Sequence, residues 1–246
     1  MGTSISLELD CLYNGEEFNK LTKPLTFWKV MNDKECHFGF QYKDGLNIDT
    51  HQFNGTDKYG LYFVDLEYLP KYMFKGQIIR RVAIPDDANV YALDECFKAD
   101  KIILCEKFDI KNFPYWHLND FCLNAVKKNG LLLSYVINKT DEQIKEAVKQ
   151  NGNALLFVKK SKQNYELCKT AITTTGNAIR FSKFVNDDLL NIAVNNNPFI
   201  LPQLEKKEQT EKVCESACRK NRYLIEYIKS NKMRRRIENK LGNQHL

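Results

Sequence analysis

The chain has 246 residues, a formal net charge of +6, 43% hydrophobic residues and 12% aromatic residues. This length predicts one large domain or two smaller ones, and this composition excludes a chain that is disordered throughout. No apolar run approaches the length of a membrane span, so we expect no transmembrane segment and no secretory signal.

Charge divides unevenly along the chain. Residues 1–110 contain 13 Lys and Arg against 18 Asp and Glu, a net of −5, whereas residues 111–246 contain 24 against 13, a net of +11. The change coincides with the start of an internal repeat. We therefore predict an α+β protein with a mixed N-terminal domain over 1–112, an all-α solenoid of short helix-pair repeats over 118–230, and a basic C-terminal tail over 231–246.

The first domain alternates short β-like runs with turn residues. One helix is predicted at Leu66–Phe74, and Pro85–Asp87 is predicted to be a turn. Strands are predicted at Thr26–Met31, Gly60–Val64, Gln77–Ile84, Asn89–Ala92 and Lys101–Leu104.

Four strings stand out in this domain: G-F-Q-Y-K-D-G-L-N (39–47), G-L-Y-F (60–63), R-R-V-A-I-P-D-D-A (80–88) and F-K-A-D-K-I-I-L (97–104). Together they resemble the N-terminal domain of a large paralogous family of mimiviruses and other giant amoebal viruses. The A-V-K-x-N-G units that follow are similar to a short repeat found in the same viruses. The resemblance covers nearly the whole chain and implies no established activity.

The order of elements also resembles, more faintly, the ADP-ribosyltransferases of the diphtheria-toxin and poly(ADP-ribose) polymerase type. His37 stands near their His-Gly element together with Gly39, and Tyr62 lies in a matching G-x-Y-F string. Tyr72 corresponds to their helix tyrosine and Asp100 to their glutamate. The resemblance implies NAD as cofactor, with His37, Tyr62 and Asp100 as catalytic residues and Gly39 and Tyr72 as cofactor-binding residues.

Each of these residue types has a chemical reason in that reaction. The histidine would bind the adenosine ribose, the tyrosine would stack on nicotinamide, and the carboxylate would stabilise the oxocarbenium-like charge. The sequence departs from the pattern, because Phe38 separates His37 from Gly39 and Asp100 is one methylene shorter than glutamate. The alternative interpretation is structural: Tyr62 belongs to the strand core and His37 to a turn.

An aromatic cluster, Phe113-Pro114-Tyr115-Trp116-His117, precedes the repeats. We expect it to pack the two domains together, with ligand binding as the weaker alternative.

The repeat is anchored by five alanines at steps of 22, 24, 22 and 24 residues. A glycine five positions after the first three anchors is predicted to close each helix in the left-handed conformation. Apolar residues further on begin a second short helix, and Thr140–Gln143 is predicted to be a capping box. The anchors are Ala125, Ala147, Ala171, Ala193 and Ala217, and the glycines are Gly130, Gly152 and Gly176.

Eight cysteines could indicate disulfides or zinc, but their placement argues against both. Cys122, Cys168 and Cys214 share one repeat position beside apolar residues, where a thiol acts as a small core side chain. We therefore expect no metal and a reducing compartment, the cytoplasm of an infected host cell, with the virion as an alternative. Met1–Ser6 matches the myristoylation pattern, which chance explains at least as well.

Basic residues concentrate in the last repeat and the tail, where Arg219, Arg222, Arg234, Arg235 and Arg236 are the predicted partner-binding residues. They suit nucleic-acid phosphates, but docking on the acidic N-terminal domain is favoured over nucleic acid.

The sequence as a whole favours a non-catalytic protein-interaction module, without a cofactor, that binds a host or viral protein through its repeats. The alternative is an NAD-dependent ADP-ribosyltransferase, active or degenerate.

Overall fold

The computed structural model describes residues 7–54 and 59–242 of the chain, so the predicted myristoylation pattern lies outside the described residues. The chain folds into two compact units, Met1–Asn124 and Ala125–Leu246. The protein is thus of mixed α+β class, with its strands in the first unit and most of its helices in the second.

An eight-stranded antiparallel sheet organises the first unit. Its strand order is β1-β8-β9-β6-β2-β7-β10-β5. Strands β3 and β4, which lie between β2 and β5 in the chain, form a separate two-stranded hairpin. The strands are β1 Leu12–Asn14, β2 Phe27–Met31, β3 Cys36–His37, β4 Phe40–Gln41, β5 Gly45–Ile48, β6 Leu61–Asp65, β7 Ile78–Ala83, β8 Asn89–Ala92, β9 Phe97–Ala99 and β10 Lys101–Asp109. The helices are α1 Gly15–Leu21, α2 Leu69–Tyr72 and the 3₁₀ helices Met73–Lys75, Ile110–Asn112 and Pro114–His117.

The core of this unit is rich in aromatic rings. Phe18 of α1 is fully buried and its ring centroid lies 5.2 Å from that of Phe27 on β2 and 6.1 Å from that of Phe63 on β6. Asn14 starts α1, because its side chain accepts a hydrogen bond from the Glu17 N–H at 2.9 Å. Helix α1 is therefore fixed to the sheet by one cap and one buried ring.

The strand predictions agree with the observed central strands and differ at their ends. Asn89–Ala92 is observed as predicted, and β10 continues to Asp109 across a register shift between Leu104 and Lys107. The predicted helix Leu66–Phe74 is shorter and continues as the 3₁₀ turn Met73–Lys75. Strands β1, β5 and β9 were not predicted, because each has only three or four residues and little apolar periodicity.

The aromatic cluster packs on the sheet within the first unit. The Trp28 ring lies 5.1 Å from Phe113 and 5.6 Å from Tyr115, between ring centroids. Trp116 is buried, and its indole N–H donates to the Ile110 carbonyl at 2.6 Å. This cluster therefore holds residues 110–117 against strand β2.

Five α-helices of ten residues each alternate with 3₁₀ helices from Asn119 onward. The α-helices are α3 Asn119–Lys128, α4 Asp141–Gln150, α5 Tyr165–Thr174, α6 Asp187–Asn196 and α7 Glu211–Lys220. The 3₁₀ helices, here called the 3₁₀ row, are Gly130–Ser134, Gly152–Phe157, Gly176–Phe181, Pro198–Gln203 and Arg222–Tyr227. The predicted capping box is confirmed at Thr140 and Gln143, and the five anchor alanines are completely buried.

The glycines of the repeat do not close helices, and the prediction of a left-handed conformation for them is wrong. Gly130, Gly152 and Gly176 all lie outside the left-handed region and begin the 3₁₀ helices. A Cβ atom at Gly152 would lie 2.0 Å from the carbonyl oxygen of Ala171 in the next repeat, and a Cβ atom at Gly130 would lie 2.3 Å from the carbonyl oxygen of Ala147. The glycine is needed because two backbones approach too closely for any side chain.

Two buried glutamines join successive repeats. The Gln163 amide donates to the Val158 carbonyl at 3.0 Å and the Phe181 carbonyl at 3.1 Å, and its oxygen accepts from the Lys183 N–H at 2.7 Å. Gln209 does the same two repeats later: it donates to the Leu201 and Tyr227 carbonyls and accepts from the Lys229 N–H. Each glutamine therefore satisfies backbone groups of two neighbouring repeats.

The region predicted as a basic tail contains a helix, α8, at Asn231–Gly242. Ile237 and Leu241 are its buried residues. The last four residues of the chain lie outside the described residues.

Candidate functional site

A cavity of about 360 Å³ opens between β2, β6 and the β3–β4 hairpin in the first unit. Its apolar lining comes mainly from the sheet, and its polar lining from side chains on several elements. The polar and aromatic lining residues are Trp28, Lys29, His37, Phe38, Tyr62, Phe63, Tyr72, Lys75 and Cys96. The volume falls in the range of about 300–1,000 Å³ that is typical of small-molecule sites.

Three of the five residues predicted from the ADP-ribosyltransferase resemblance line this cavity. They are His37 on β3, Tyr62 on β6 and Tyr72 at the end of α2. The sheet brings them together, because β2 pairs with β6 and α2 follows β6 after a short turn.

The other two predicted residues lie elsewhere. The Asp100 carboxylate accepts hydrogen bonds from the Asn89 backbone N–H at 2.9 Å and the Asn89 side chain at 2.7 Å. Gly39 lies in the β3–β4 turn with φ +83°. Asp100 is thus engaged in joining β8 to the start of β10, and neither residue is among those that line the cavity.

Lys29 is the least expected member of the site. It lies in the middle of β2 and is 4% exposed, and its ammonium donates to the Tyr62 carbonyl at 2.6 Å. The same nitrogen lies 4.6 Å from the centroid of the Tyr42 ring. Burial, with a further contribution from the nearby Lys75 charge, lowers the pKa of Lys29 to about 7.

The neighbouring groups are also shifted towards their neutral forms. Burial, followed by the charges of Lys29 and Lys75, lowers the pKa of His37 to about 4. Burial raises the pKa of Tyr72, whose hydroxyl also donates to the Cys96 sulfur, and burial raises the pKa of Cys96. The cavity therefore combines apolar walls with poorly solvated basic groups.

These residues do not fit the chemistry of NAD-dependent ADP-ribosyl transfer. That reaction needs a carboxylate near the nicotinamide ribose, and none of the described residues that line the cavity is an aspartate or glutamate. Lys29 and Lys75 instead add basic groups to this lining, and these do not suit a reaction that develops positive charge.

Sequence reasoning did not identify Lys29, Lys75 or Cys96. A lysine within the apolar run Phe27–Met31 was a usable signal, since lysine is almost never fully buried without a specific reason. Lys75 and Cys96 lie on separate elements and gave no local signal.

The second unit carries a different kind of surface. Its exposed large apolar residues lie in the 3₁₀ row or in the loops that follow it, and the outer faces of α4 to α7 carry polar side chains. Phe199 is 58% exposed and Tyr223 is 84% exposed. These two occupy the same position in adjacent repeats, six residues after Ala193 and Ala217.

The predicted basic residues of the C-terminus are partly paired within the second unit. Arg219 forms an ion pair with Glu215 at 2.7 Å, and Arg236 forms one with Glu211 at 2.8 Å. Arg234 donates to the carbonyls of Glu226 and Ile228. Arg222 and Arg235 are exposed, without an ion pair to any described carboxylate. The positive charge open to a partner is therefore smaller than the sequence suggested, and docking on acidic groups and nucleic-acid binding both stay predictions.

Among the helices that the structure describes, none is both long enough and apolar enough to cross a membrane.

The chain is similar to several proteins of Acanthamoeba polyphaga mimivirus. It is 33% identical over 116 residues to R868, which is named as an ankyrin repeat protein, covering 43% of this chain and 58% of R868. It is 35% identical over 99 residues to the uncharacterized protein R869, covering 37% of this chain and 72% of R869. It is 29% identical over 119 residues to R896, also named as an ankyrin repeat protein, covering 44% of this chain and 36% of R896. No family model and no solved structure matches the chain.

Proposed function

Because the chain belongs to a family of mimivirus proteins that includes R869, we propose that it is a non-catalytic protein-interaction module of a giant virus. The observation that carries the proposal is that, among the described residues of the second unit, the exposed large apolar side chains are confined to the 3₁₀ row and its loops. The names of R868 and R896 support a repeat protein that binds other proteins. The spacing of 22 and 24 residues is shorter than the roughly 33 of ankyrin units, so the ankyrin fold itself is not part of the proposal.

In this proposal the helix pairs stack side by side as a solenoid. Helices α4 and α5, α5 and α6, and α6 and α7 contact one another in turn. The close approach at Gly152 and the hydrogen bonds of Gln163 and Gln209 each join one pair to the next. Such nearest-neighbour contacts are what a stack of repeats requires.

The partner would bind the 3₁₀ row, with Phe199 and Tyr223 at the centre of the contact. Aromatic residues are enriched at the centres of protein interfaces, where a few anchors contribute most of the binding energy. Leu156 and Tyr227, which are exposed on the same row, extend the apolar surface. Arg222, beside Tyr223, has no ion pair with a described carboxylate and adds a cation that suits an acidic rim on the partner.

The test uses the full-length tagged chain as bait in a lysate of infected Acanthamoeba, with captured proteins identified by mass spectrometry. Phe199→Ala combined with Tyr223→Ala should weaken capture of the specific partner by at least about 30-fold, since the loss of a single anchor already costs about 2 kcal/mol. The control, Lys145→Ala combined with Lys169→Ala, alters the exposed faces of α4 and α5 and should leave capture unchanged. Equal capture by both double variants would contradict the proposal.

NAD-dependent ADP-ribosyl transfer is the second candidate, and one observation favours it: His37, Tyr62 and Tyr72 line a common cavity. The position of Asp100 opposes it. Incubation of the full chain with labelled NAD⁺ tests the candidate directly. Label transfer that Tyr62→Ala abolishes would support it, and the absence of both transfer and NAD⁺ binding would eliminate it.

We further propose that the protein acts in the cytoplasm of the infected host cell, with packaging into the virion as the alternative. Mass spectrometry of purified virions and of the cytosolic fraction separates the two locations. Detection in virions alone would contradict the cytoplasmic assignment.

A further inference from the structure

The cavity of the first unit has an electrostatic feature that protein binding through the repeats does not use. Lys29, His37 and Lys75 contribute basic nitrogen atoms to its lining, and no described lining residue is acidic. Burial is the main cause that lowers the pKa of His37, and the charges of Lys29 and Lys75 lower it further. Burial is also the main cause that lowers the pKa of Lys29, and the charge of Lys75 adds to it. Because all three residues line the same cavity, these basic groups surround one common space.

Lys29 has few compensating partners for a buried ammonium. An ammonium can donate three hydrogen bonds, and Lys29 donates one to the Tyr62 carbonyl and places its charge against the Tyr42 ring. Its cross-strand neighbour in the register of β2 and β7 is another cation, Arg80. Arg80 is buried and forms an ion pair with Asp44, so that carboxylate is already engaged. An anion in the cavity would satisfy Lys29 at its remaining donor positions.

The rest of the lining suits a flat apolar body. Trp28, Tyr62, Tyr72 and Val64 line the same cavity, and so does Phe38, 83% of whose surface is exposed. Aromatic side chains stack on flat rings and also bind the apolar part of a mixed ligand.

We propose that this cavity binds a small aromatic anion, a flat ring bearing a carboxylate or phosphate group, with Lys29 and Lys75 contacting the anionic group. The ring lies among Trp28, Tyr62 and Tyr72. This site is independent of the 3₁₀ row, so that the loss of either activity leaves the other intact.

The experiment measures binding of three probes to the full chain by titration calorimetry: benzoate, phenyl phosphate, and benzamide as the uncharged isostere of benzoate. Benzoate or phenyl phosphate should bind at least tenfold more tightly than benzamide. A preference for benzamide would indicate a pocket for a neutral amide, as in nicotinamide recognition, and would overturn the proposal. So would the absence of binding by all three probes at millimolar concentration.

Three variants assign the binding to the cavity. Lys29→Met should weaken benzoate binding at least tenfold and remove the preference over benzamide. Lys75→Met, at an exposed position that leaves the sheet intact, should weaken it about threefold, as expected for a partly screened charge. Lys111→Met is the matched control on the surface of the same unit and should have no effect. If Lys29→Met folds, the proposal is overturned when both Lys29→Met and Lys75→Met bind benzoate as tightly as the wild type. If Lys29→Met does not fold, unchanged benzoate binding by Lys75→Met is enough to overturn it.

Binding should also depend on pH in a defined direction. Because the pKa of Lys29 is about 7, benzoate binding should weaken by about tenfold between pH 6 and pH 8 as this ammonium loses its proton. His37, with a pKa of about 4, is neutral across this range, and burial keeps the Cys96 thiol and the Tyr42 and Tyr72 hydroxyls protonated by raising the pKa of each. The ion pair with Arg80 lowers the pKa of Asp44, so this carboxylate stays charged across the range. Binding that is constant from pH 6 to pH 8 would contradict the role of Lys29.

Discussion

Gly152→Ala tests whether the repeat glycine provides room for a neighbouring backbone. The added Cβ would lie 2.0 Å from the Ala171 carbonyl oxygen, 2.9 Å from its carbonyl carbon and 2.9 Å from the Thr175 Cβ. Two of these three atoms belong to the backbone of α5, so relief requires the two repeats to separate. Overpacking of this kind costs about 1–3 kcal/mol, and the reduced entropy of the unfolded chain offsets about 0.4–1 kcal/mol. We expect a net loss of about 2 kcal/mol in the free energy of unfolding.

The same substitution at equivalent positions gives a ranked series. The closest approach of the added Cβ is 2.0 Å at Gly152, 2.3 Å at Gly130 and 2.6 Å at Gly176, so the loss of stability should decrease in that order. Gly242→Ala is the matched control, because an added Cβ there meets nothing within 4 Å. Urea denaturation followed by circular dichroism measures all four variants.

A further variant distinguishes close approach from a left-handed helix end. Asparagine tolerates the left-handed conformation, but its larger side chain would meet the same carbonyl. Gly152→Asn should therefore be at least as destabilising as Gly152→Ala. The reasoning is refuted if Gly152→Ala is as stable as the wild type, or if Gly152→Asn is the more stable of the two.

Three other predictions concern stability. Thr140→Ala removes the confirmed capping box of α4 and should cost about 1 kcal/mol in urea denaturation, whereas Thr173→Ala, on the exposed face of α5, should cost nothing measurable. Gln163→Leu leaves one buried and two partly buried backbone groups without their partner and should cost about 3 kcal/mol. A thermal melt no lower than that of the exposed control Gln203→Leu would contradict this. Burial lowers the pKa of Lys29 to about 7 from 10.5, so between these values the unfolded chain binds the extra proton and the wild type gains stability as pH rises. Lys29→Met should therefore exceed the wild type in free energy of unfolding by less at pH 9 than at pH 7. If denaturation curves measured in parallel show this difference growing with pH, Lys29 is not a buried, neutral amine.

Sequence periodicity was sufficient to locate the repeats, because the buried anchor alanines recur at alternating steps of 22 and 24 residues. The spacing did not reveal how the second helix of each pair is wound: the apolar positions after Gly152 fit an α-helix and a 3₁₀ helix equally well. Nor did it reveal the function of the glycines. A glycine after a helix usually closes it, and only the position of the Ala171 carbonyl in the next repeat shows another reason.

The sheet was predictable where strands are long and apolar, and less so at its edges. Strand β2 was expected from its apolar run, whereas β1 and β5 pair through backbone groups with few apolar side chains. The candidate site was likewise predictable only in part. A family resemblance selected His37 and Tyr62, which do line the cavity, but the position of Asp100 depends on the β9–β10 turn, which one sequence does not determine.

The two buried glutamines limit how this protein can change in length. Gln163 and Gln209 stand 46 residues apart, and the equivalent positions of the alternate repeats are Lys139, which precedes Gln163, and Val185, which lies between the two glutamines. Gain or loss of one helix pair would place a lysine or a valine where the backbone of two repeats needs an amide. Gain or loss of 46 residues preserves every such bond. The segment that can be duplicated without losing these hydrogen bonds is therefore two helix pairs. Longer relatives built on this pattern should differ in length by multiples of 46 residues.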